Sequence, residues 1–293
     1  MSKKGSVVEF DQNWQTRKEA QYNHWIKGQP QNQIQLAFHN HYKVFSEFLK
    51  KDGILSGKCL EVGCGRGSIS SHFAEHGYSC TLLDSSQSVL ETAKHIFTNN
   101  GHEAVFVHGD ANELAIADET FDIVVSIGLL EHFEDINKPI REQVRILKPG
   151  GRFFGYIVPE RTDNIQQNFH WLNRILSELS KLANSEEKIR AKQPIYRSDF
   201  GSPRYLEAIK DLPVNNVETF GMYPLPMISH SPDFPFSLMP PPLELALTKI
   251  FDLSLYVRYS LLKQNPWICQ EEIGQAFLLT FRKNNTYLDS YGT

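Results

Sequence analysis

The distribution of apolar residues predicts alternating strands and helices over the first half of the chain. Apolar runs of strand length occur at 58–62, 79–83, 104–107, 121–127 and 152–158. Stretches with apolar residues at helical spacing lie between them, at 68–76, 86–98 and 136–147. This order predicts right-handed crossovers and a parallel sheet covered by helices on both faces, which is an α/β fold. Ligands of such sheets bind outside the carboxyl ends of the strands.

The pattern changes on either side of this region. It predicts helices at 31–51, 166–184, 202–210 and 243–262, and strands at 214–223 and 275–283. The 243–262 helix has apolar residues on more than one face, so it is expected to be covered on more than one face. It is interpreted as a wall or lid of a ligand pocket, or as core and subunit contact, with membrane-surface association as a third alternative. Four charged residues (Glu244, Lys249, Asp252 and Arg258) argue against a membrane-spanning helix.

Length and composition are typical of a soluble globular protein. A chain of 293 residues predicts about two domains, or one large domain with insertions. The net charge of −4 disfavours nucleic-acid partners, which are bound by basic surfaces. The four cysteines show neither a C-x-x-C pair nor zinc spacing, so we expect no disulfide framework and no metal. No signal peptide is recognisable at the start, and the expected location is the cytoplasm.

The sharpest chemical signal is the sequence Glu61-Val62-Gly63-Cys64-Gly65-Arg66-Gly67, between the first predicted strand and the first helix that follows it. Glycines allow a sharp turn and the close approach of a ligand, and a helix start presents free N–H groups. The glycine spacing differs from the G-x-G-x-x-G of nicotinamide-binding folds. The alternative interpretation is a plain tight turn.

Acidic residues end the next two predicted strands. Asp84 stands where nucleotide-binding units place a carboxylate that accepts hydrogen bonds from ribose hydroxyls, although it could equally cap the next helix. Asp110 stands where a carboxylate can accept from an adenine amino group, and its alternative is a loop aspartate. Three acidic strand ends in order, Glu61, Asp84 and Asp110, favour a single ligand site.

Five segments, at 59–68, 82–85, 109–111, 121–133 and 147–155, together resemble the successive motifs of class I S-adenosylmethionine-dependent methyltransferases. The runs FDIV at 121–124, LEH at 130–132 and LKPGG at 147–151 are similar to the subgroup of small-molecule and quinone methyltransferases. The resemblance covers about residues 55–160. It implies a doubly wound, mostly parallel sheet of seven strands (a Rossmann-like methyltransferase fold) with helical insertions, closed by a late antiparallel strand at 275–283.

The resemblance also implies a division of the chain and a set of cofactor contacts. Residues 1–50 would form an N-terminal helical arm or lid, 51–160 the S-adenosylmethionine-binding core, and 161–293 the rest of the sheet with insertions at about 161–200 and 224–272. The implied contacts are Glu61, Gly63 and Gly65 with the methionine part, Asp84 with the ribose, Ser85 with the adenine, Asp110 and Ala111 with the adenine edge, and Ile127 and Gly128 beside the sulfonium and amino groups. The product would be S-adenosylhomocysteine.

The implied reaction is in-line displacement of a methyl group onto an O, N or C atom of a small, partly apolar metabolite. Orientation then supplies most of the catalysis, and a general base assists where the acceptor carries a proton. His132 is the first candidate base, because a histidine pKa can lie near neutrality. Its alternative is a structural or pocket-shaping role. Tyr156 and His170 are weaker candidates at the substrate side of the site.

Several alternatives stay open at this point. Trp14, Tyr22 and Trp25 either form a lid over the site or pack a helix onto the sheet. The sequence His39-Asn40-His41 is interpreted as a helix face and not as a nuclease motif. The functional alternatives are methylation of protein or RNA and a catalytically silent nucleotide-binding scaffold. A homodimer is compatible with the sequence, which identifies neither the acceptor nor the oligomeric state.

Overall fold

The structure is a computed structural model that describes residues 24–161, 163–183, 196–229 and 239–285. Trp14 and Tyr22 lie outside the described residues. The helices are α1 (Gln33–Asp52), α2 (Ser68–Glu75), α3 (Gln87–Asn99), α4 (Asn137–Ile146), α5 (His170–Ala183), α6 (Ser202–Ile209) and α7 (Pro241–Leu262). The strands are β1 (Lys58–Val62), β2 (Ser79–Asp84), β3 (Ala104–His108), β4 (Phe121–Ile127), β5 (Leu147–Ile157), β6 (Val214–Met222), β7 (Ile268–Cys269) and β8 (Ala276–Lys283).

The strands form one twisted sheet in the order β3-β2-β1-β4-β5-β8-β6-β7. Strands β1 to β5 are parallel to their neighbours, and β8 runs antiparallel to both β5 and β6. The predicted α/β class, the parallel core and the late antiparallel strand are therefore confirmed. The structure has one strand more than the seven predicted. The additional strand is the two-residue β7, which pairs antiparallel with β6 at the edge of the sheet.

The start of β5 differs from the prediction. The motif Pro149-Gly150-Gly151 was expected to end α4 before a strand at 152, but strand pairing already begins at Leu147. The register between β4 and β5 then shifts between Phe121 and Ile123, so the motif forms an irregularity within the strand. Gly150 has φ +76°, a conformation that glycine adopts without steric cost.

Two apolar layers cover the two faces of the sheet. One contains α1, α2 and α3 residues such as Phe45, Phe73 and Phe97, and the other contains α4 and α6 residues such as Val144 and Tyr205. Central strand β4 contributes to both layers because its residues alternate between the faces. A doubly covered parallel sheet leaves its carboxyl edge as the place for a ligand.

Helix α1 is attached to the sheet by a buried ion pair. Arg152 Nε and Asp52 Oδ2 lie 2.7 Å apart, and their side chains are 3% and 8% exposed. A second bond, from Arg152 Nη2 to Asp52 Oδ1 at 2.9 Å, makes the pair bidentate. The carboxyl end of α1 is thereby fixed to β5.

Helix α7 is covered by the described residues on one side only. Its inward residues include Thr248 and Leu255, whereas Leu253, Tyr256 and Leu261 are more than 60% exposed. The described residues therefore leave an apolar face of α7 open, and its role stays a prediction. None of the described helices combines the length and the hydropathy needed to cross a membrane.

Candidate active site

The turn after β1 is built by glycines with positive φ. Gly63 has φ +70°, and a Cβ on it would lie 2.7 Å from Leu129 Cδ1 in the loop after β4. The N–H groups of Gly63 and Cys64 donate to the carbonyl of Leu83 on β2, at 2.8 and 3.0 Å. This turn is therefore held between the ends of β2 and β4, and Gly63 has no room for a side chain because Leu129 fills that space.

Gly67 closes the turn and begins α2. Its φ is +69°, and a Cβ would lie 2.5 Å from Leu82 Cδ2 and 2.7 Å from Phe97 Cε2. A larger residue would push α2 away from the sheet. Glycine is thus required here for close packing of helix against strand, as well as for the conformation of the backbone.

The carboxylate of Glu61 lies under the first turn of α2. Its Oε2 accepts hydrogen bonds from Ser70 N at 3.2 Å and from Ser70 Oγ at 2.5 Å, and the residue is 3% exposed. Burial raises the pKa of Glu61 to about 8, with the neighbouring Asp84 charge adding to the increase and the Ser70 bonds opposing it. A buried carboxyl of this kind favours ionisation when a cation binds beside it.

Asp84 bridges the glycine turn and the next helix. Its Oδ2 accepts from Gly65 N at 3.1 Å and its Oδ1 accepts from Ser86 N at 3.0 Å. The cap of α3 is Ser86, whose Oγ accepts from Val89 N. Asp84 is therefore not the N-cap of α3, which was the alternative interpretation of this residue. Each of its carboxylate oxygens keeps a further lone pair that can accept from a ligand. Burial raises the pKa of Asp84.

The ends of β2 and β3 are also connected. Ser85 is exposed, and its carbonyl lies 3.0 Å from Nε2 of His108, the last residue of β3. Asp110 is exposed, and its Oδ1 accepts from N and Nδ2 of Asn112 at 2.8 and 2.9 Å. Ala111 is buried beside them. Asp110 thus organises its own loop while Oδ2 makes no hydrogen bond to any described residue.

The end of β4 lies on the other side of the glycine turn. Ile127 pairs with Tyr156 of β5, and the N–H of Gly128 donates to the Tyr156 carbonyl at 2.9 Å. Gly128 has φ +64°. Because β1 to β5 are parallel, these residues and the ends of β1, β2 and β3 form one row along the carboxyl edge of the sheet. The structure thus brings together all nine predicted cofactor contacts, Glu61, Gly63, Gly65, Asp84, Ser85, Asp110, Ala111, Ile127 and Gly128.

A single turn of 3-10 helix, Leu130–His132, follows β4. In this turn, Nδ1 of His132 lies 2.7 Å from the Tyr196 carbonyl oxygen. A carbonyl can only accept, so Nδ1 carries the proton of the neutral ring and Nε2 carries the lone pair. Burial lowers the pKa of His132 to about 4, whereas the candidate base was expected to have a pKa near neutrality. The geometry suits proton acceptance, but desolvation weakens the base.

Glu131 is a residue whose importance sequence reasoning missed. It is fully buried, its Oε1 accepts from Val158 N at 3.3 Å, and its Oε2 has no partner among the described residues. Burial raises the pKa of Glu131 to about 7, and the charge of Arg197 opposes the increase. The sequence signal was its position four residues after the end of β4, in the same motif as His132. Ser70, the partner of Glu61, was also missed, because a serine within a helix carries no distinctive pattern.

The predicted substrate and lid residues are not all found together. Tyr156 is buried at the edge described above. Trp25 is also buried, but it packs edge-on against His72 of α2 and His102 before β3, at ring distances of 6.4 and 4.8 Å. Trp25 therefore lies outside any helix and packs toward the amino end of β3, and its predicted role as a lid or helix-packing residue stays a prediction. His170 is exposed at the first residue of α5.

The described residues contain no group of three or more His, Cys, Asp or Glu side chains arranged to hold a metal ion. S-adenosylmethionine, implied by the resemblance, can be tested against the observed edge. Acidic residues stand at the ends of β1 and β2 and just after β3: Glu61 is buried, each oxygen of Asp84 accepts one hydrogen bond and keeps a further lone pair, and Asp110 Oδ2 accepts none from the described residues. This donor and acceptor set fits an adenosyl group with a positively charged methionine part.

Comparison with known proteins supports the same assignment for the core of the chain. A family model described as a methyltransferase domain matches residues 60–155. An uncharacterized methyltransferase, YcgJ of Bacillus subtilis strain 168, is 32% identical over 122 residues, which are 40% of this chain and 47% of that protein. A ubiquinone biosynthesis O-methyltransferase of Rickettsia conorii is 33% identical over 107 residues, which are 36% of this chain and 37% of that protein.

A solved structure supports the fold over most of the chain. A candidate sarcosine dimethylglycine methyltransferase of Galdieria sulphuraria is 15% identical, with a TM-score of 0.53 and coverage of 96% of this chain and 99% of that chain. The predicted resemblance is confirmed over residues 60–155, which match a methyltransferase domain. The chain spans less than half of the length of the two curated relatives named above.

Proposed function

We propose that this protein is an S-adenosylmethionine-dependent methyltransferase that methylates an O, N or C atom of a small, partly apolar metabolite. One observation carries the proposal. The glycine turn after β1 is joined to Asp84 at the end of β2 by the hydrogen bond from Gly65 N, so the methionine and ribose subsites are formed as one unit.

The residues of the carboxyl edge have distinct tasks in this function. Asp84 accepts hydrogen bonds from the ribose, and Asp110 with Ala111 holds the adenine edge. Glu61 provides negative charge near the methionine part, where burial makes an unpaired ion costly and an ion paired with a cation favourable. Gly128 presents backbone at the end of β4, beside the reacting centre.

S-adenosylmethionine, when bound, supplies a methyl carbon that is already electrophilic because it is attached to a sulfonium sulfur. The chain must therefore hold the acceptor atom in line with the carbon–sulfur bond and exclude water. Orientation of this kind contributes roughly 7–11 kcal/mol to lowering a barrier. The acceptor atom donates an electron pair to the methyl carbon, and the sulfur keeps the pair of the broken bond.

An acceptor that carries a proton must lose it during transfer. His132 is the first candidate for this step: its Nδ1–H donates to the Tyr196 carbonyl, so Nε2 is the ring atom that carries the lone pair. Glu131, with a pKa raised to about 7, is the other titratable group of the same turn. A residue with this pKa exchanges protons readily near neutral pH.

The proposed substrate class has independent support. The Rickettsia conorii relative is named for ubiquinone biosynthesis, and another relative, 30% identical over 112 residues, is a sterol 4-C-methyltransferase of Caenorhabditis elegans. Both names refer to small apolar molecules. The net charge of −4 also favours a small molecule over a nucleic acid.

Calorimetric titration with S-adenosylmethionine tests the cofactor assignment. We expect saturable binding that Asp84→Ala weakens at least tenfold, since a hydrogen-bond acceptor for the ribose is removed. The matched control is Glu91→Ala, which removes an exposed carboxylate on α3. Absence of binding at millimolar ligand would support the silent scaffold. A methyl-transfer screen of metabolites, peptides and RNA then distinguishes the acceptor classes.

A further inference from the structure

Four side chains from distant parts of the sequence meet beside the carboxyl end of β5. His41 of α1 lies 4.3 Å from Tyr156 and 5.6 Å from Trp267 between ring centroids, and Tyr223 stacks on Trp267 at 4.7 Å. We call these four residues the aromatic cluster. Because the Tyr156 carbonyl accepts from Gly128 N at 2.9 Å, the aromatic cluster adjoins the end of β4.

The cluster fixes the tautomer of His41. The Trp267 Nε1–H donates to His41 Nδ1 at 2.9 Å, and an indole nitrogen can only donate. Nδ1 is therefore an acceptor, and Nε2 carries the proton of the neutral ring. Burial lowers the pKa of His41 to about 3, so the ring stays neutral at physiological pH. His41 is consequently a fixed hydrogen-bond donor and not a base.

Three polar atoms of the cluster have no partner in the described protein. The residues His41, Tyr156 and Tyr223 are 3%, 5% and 4% exposed. Within the described residues, His41 Nε2 and the two tyrosine hydroxyls make no hydrogen bond, yet none of the three atoms is sealed from solvent. Nearly buried polar groups normally have a partner, which indicates that a ligand or water meets them here.

The backbone of Tyr223 is strained in a way that supports a binding role. Its φ is +64°, which is rare for a bulky residue. Tyr223 N donates to the Trp267 carbonyl at 3.2 Å, and the Tyr223 carbonyl accepts from Gln275 N at 3.1 Å. Strain of about 1–3 kcal/mol is retained mainly at functional sites. The strain places this ring next to Trp267 and therefore next to His41.

We propose that the aromatic cluster binds the methyl acceptor, with His41 Nε2–H donating a hydrogen bond to an oxygen of that molecule. This inference rests on the proposed function. A hydroxyl, phenolate or carbonyl oxygen has the lone pair that the donor requires, whereas a protonated amine has none. Partly buried Ile127, Val158 and Leu225 pack against the same apolar layer and suit the hydrocarbon part of the acceptor. The cluster therefore selects oxygen-bearing, partly apolar molecules.

Nitrogen-15 NMR of the full chain with labelled histidine tests the donor directly. We expect the His41 resonances of the Nε2–H tautomer, assigned by their loss in His41→Phe. Phenol is the probe, and toluene is its matched control because it lacks the oxygen. Both are titrated with and without S-adenosylhomocysteine, whose binding is followed in the same samples. Phenol should shift the Nε2 signal, and toluene should not.

Substitutions provide a second measurement. His41→Phe should weaken phenol binding about three- to tenfold, the usual effect of one neutral hydrogen bond, and leave toluene binding unchanged. Trp267→Phe should give a mixture of both His41 tautomers. His39→Phe, two residues away in the groove between α1 and α7, is the control that should change neither. If His41→Phe does not fold, the proposal is tested by the phenol-dependent shift in the wild-type spectra and by the tautomer mixture in Trp267→Phe.

The two proposals fail in different ways. Absence of S-adenosylhomocysteine binding would refute the proposed function. Binding of S-adenosylhomocysteine together with a His41 signal that ignores phenol, or that responds equally to toluene, would overturn only the acceptor assignment. An Nδ1–H tautomer in the wild-type protein would also overturn it, because His41 would then present a lone pair to the ligand.

Discussion

Replacing Glu61 with glutamine should remove a pH dependence from cofactor binding. Burial raises the pKa of Glu61 to about 8, so the carboxyl is mostly protonated at pH 6 and mostly ionised at pH 9. The methionine part of the ligand carries positive charge and interacts best with the ionised form. Binding below pH 8 must therefore include the cost of ionising Glu61. Glutamine retains the shape and has no proton to lose.

The size of the effect follows from the pKa. Each pH unit below the pKa costs about 1.4 kcal/mol, so ionisation at pH 6 costs about 2.7 kcal/mol, or roughly 100-fold in affinity. The ratio of dissociation constants, Glu61→Gln over wild type, should increase tenfold per unit from pH 6 to pH 8 and then level off. The ratio cancels any titration of the ligand itself.

Calorimetry with S-adenosylmethionine at pH 6, 7, 8 and 9 measures this ratio, with Glu91→Gln on the exposed side of α3 as the control. A ratio that is the same at pH 6 and pH 9 would refute the reasoning. The apoprotein gives an independent check of sign. A pKa raised by folding gives stability at low pH that is lost between about 4.5 and 8, so wild type should lose unfolding free energy relative to Glu61→Gln over that range.

Two substitutions test the fold by urea unfolding. Gly67→Ala should lower the free energy of unfolding by about 2–4 kcal/mol, because the cost of the left-handed backbone adds to that of the collision with neighbouring side chains. Gly77→Ala also has a left-handed backbone but open space, so it should lose only about 1–2 kcal/mol. Equal losses in the two variants would contradict the collision. Asp52→Asn leaves the buried Arg152 charge unpaired and should cost about 3–5 kcal/mol. Asp118→Asn, at a pair whose carboxylate is 70% exposed, should cost less than about 1 kcal/mol, and a similar loss in both variants would contradict the burial argument.

The carboxyl edge could be predicted from sequence because its determinants are local. An apolar run followed by glycines or an aspartate defines a strand end, and parallel strands bring successive ends together. The positions of Glu61, Asp84 and Asp110 therefore followed from the order of the strands. The start of β5 was less predictable, because the glycines of Pro149-Gly150-Gly151 allow either a helix end or an irregular strand.

The aromatic cluster could not be predicted because its contacts are between distant residues. His41 and Trp267 are hydrogen-bonded across 226 positions of sequence, and no spacing rule connects them. Burial lowers the pKa of His132, and the Tyr196 carbonyl that opposes this by accepting from Nδ1 lies 64 positions away. The element that covers the apolar face of α7 could not be predicted either, since apolar composition does not specify what packs against it.

The amino end of helix α1 is also attached to the rest of the protein, by the side-chain amide of Gln33, which makes two hydrogen bonds with the backbone of one residue. Gln33 Nε2 donates to the Ile228 carbonyl at 2.8 Å, and Ile228 N donates to Gln33 Oε1 at 3.0 Å. Together with the Asp52 and Arg152 pair, these bonds pin both termini of the helix that carries His41. A change in the loop around Ile228 would therefore displace the helix that carries His41 and leave the turn between β1 and α2 in place.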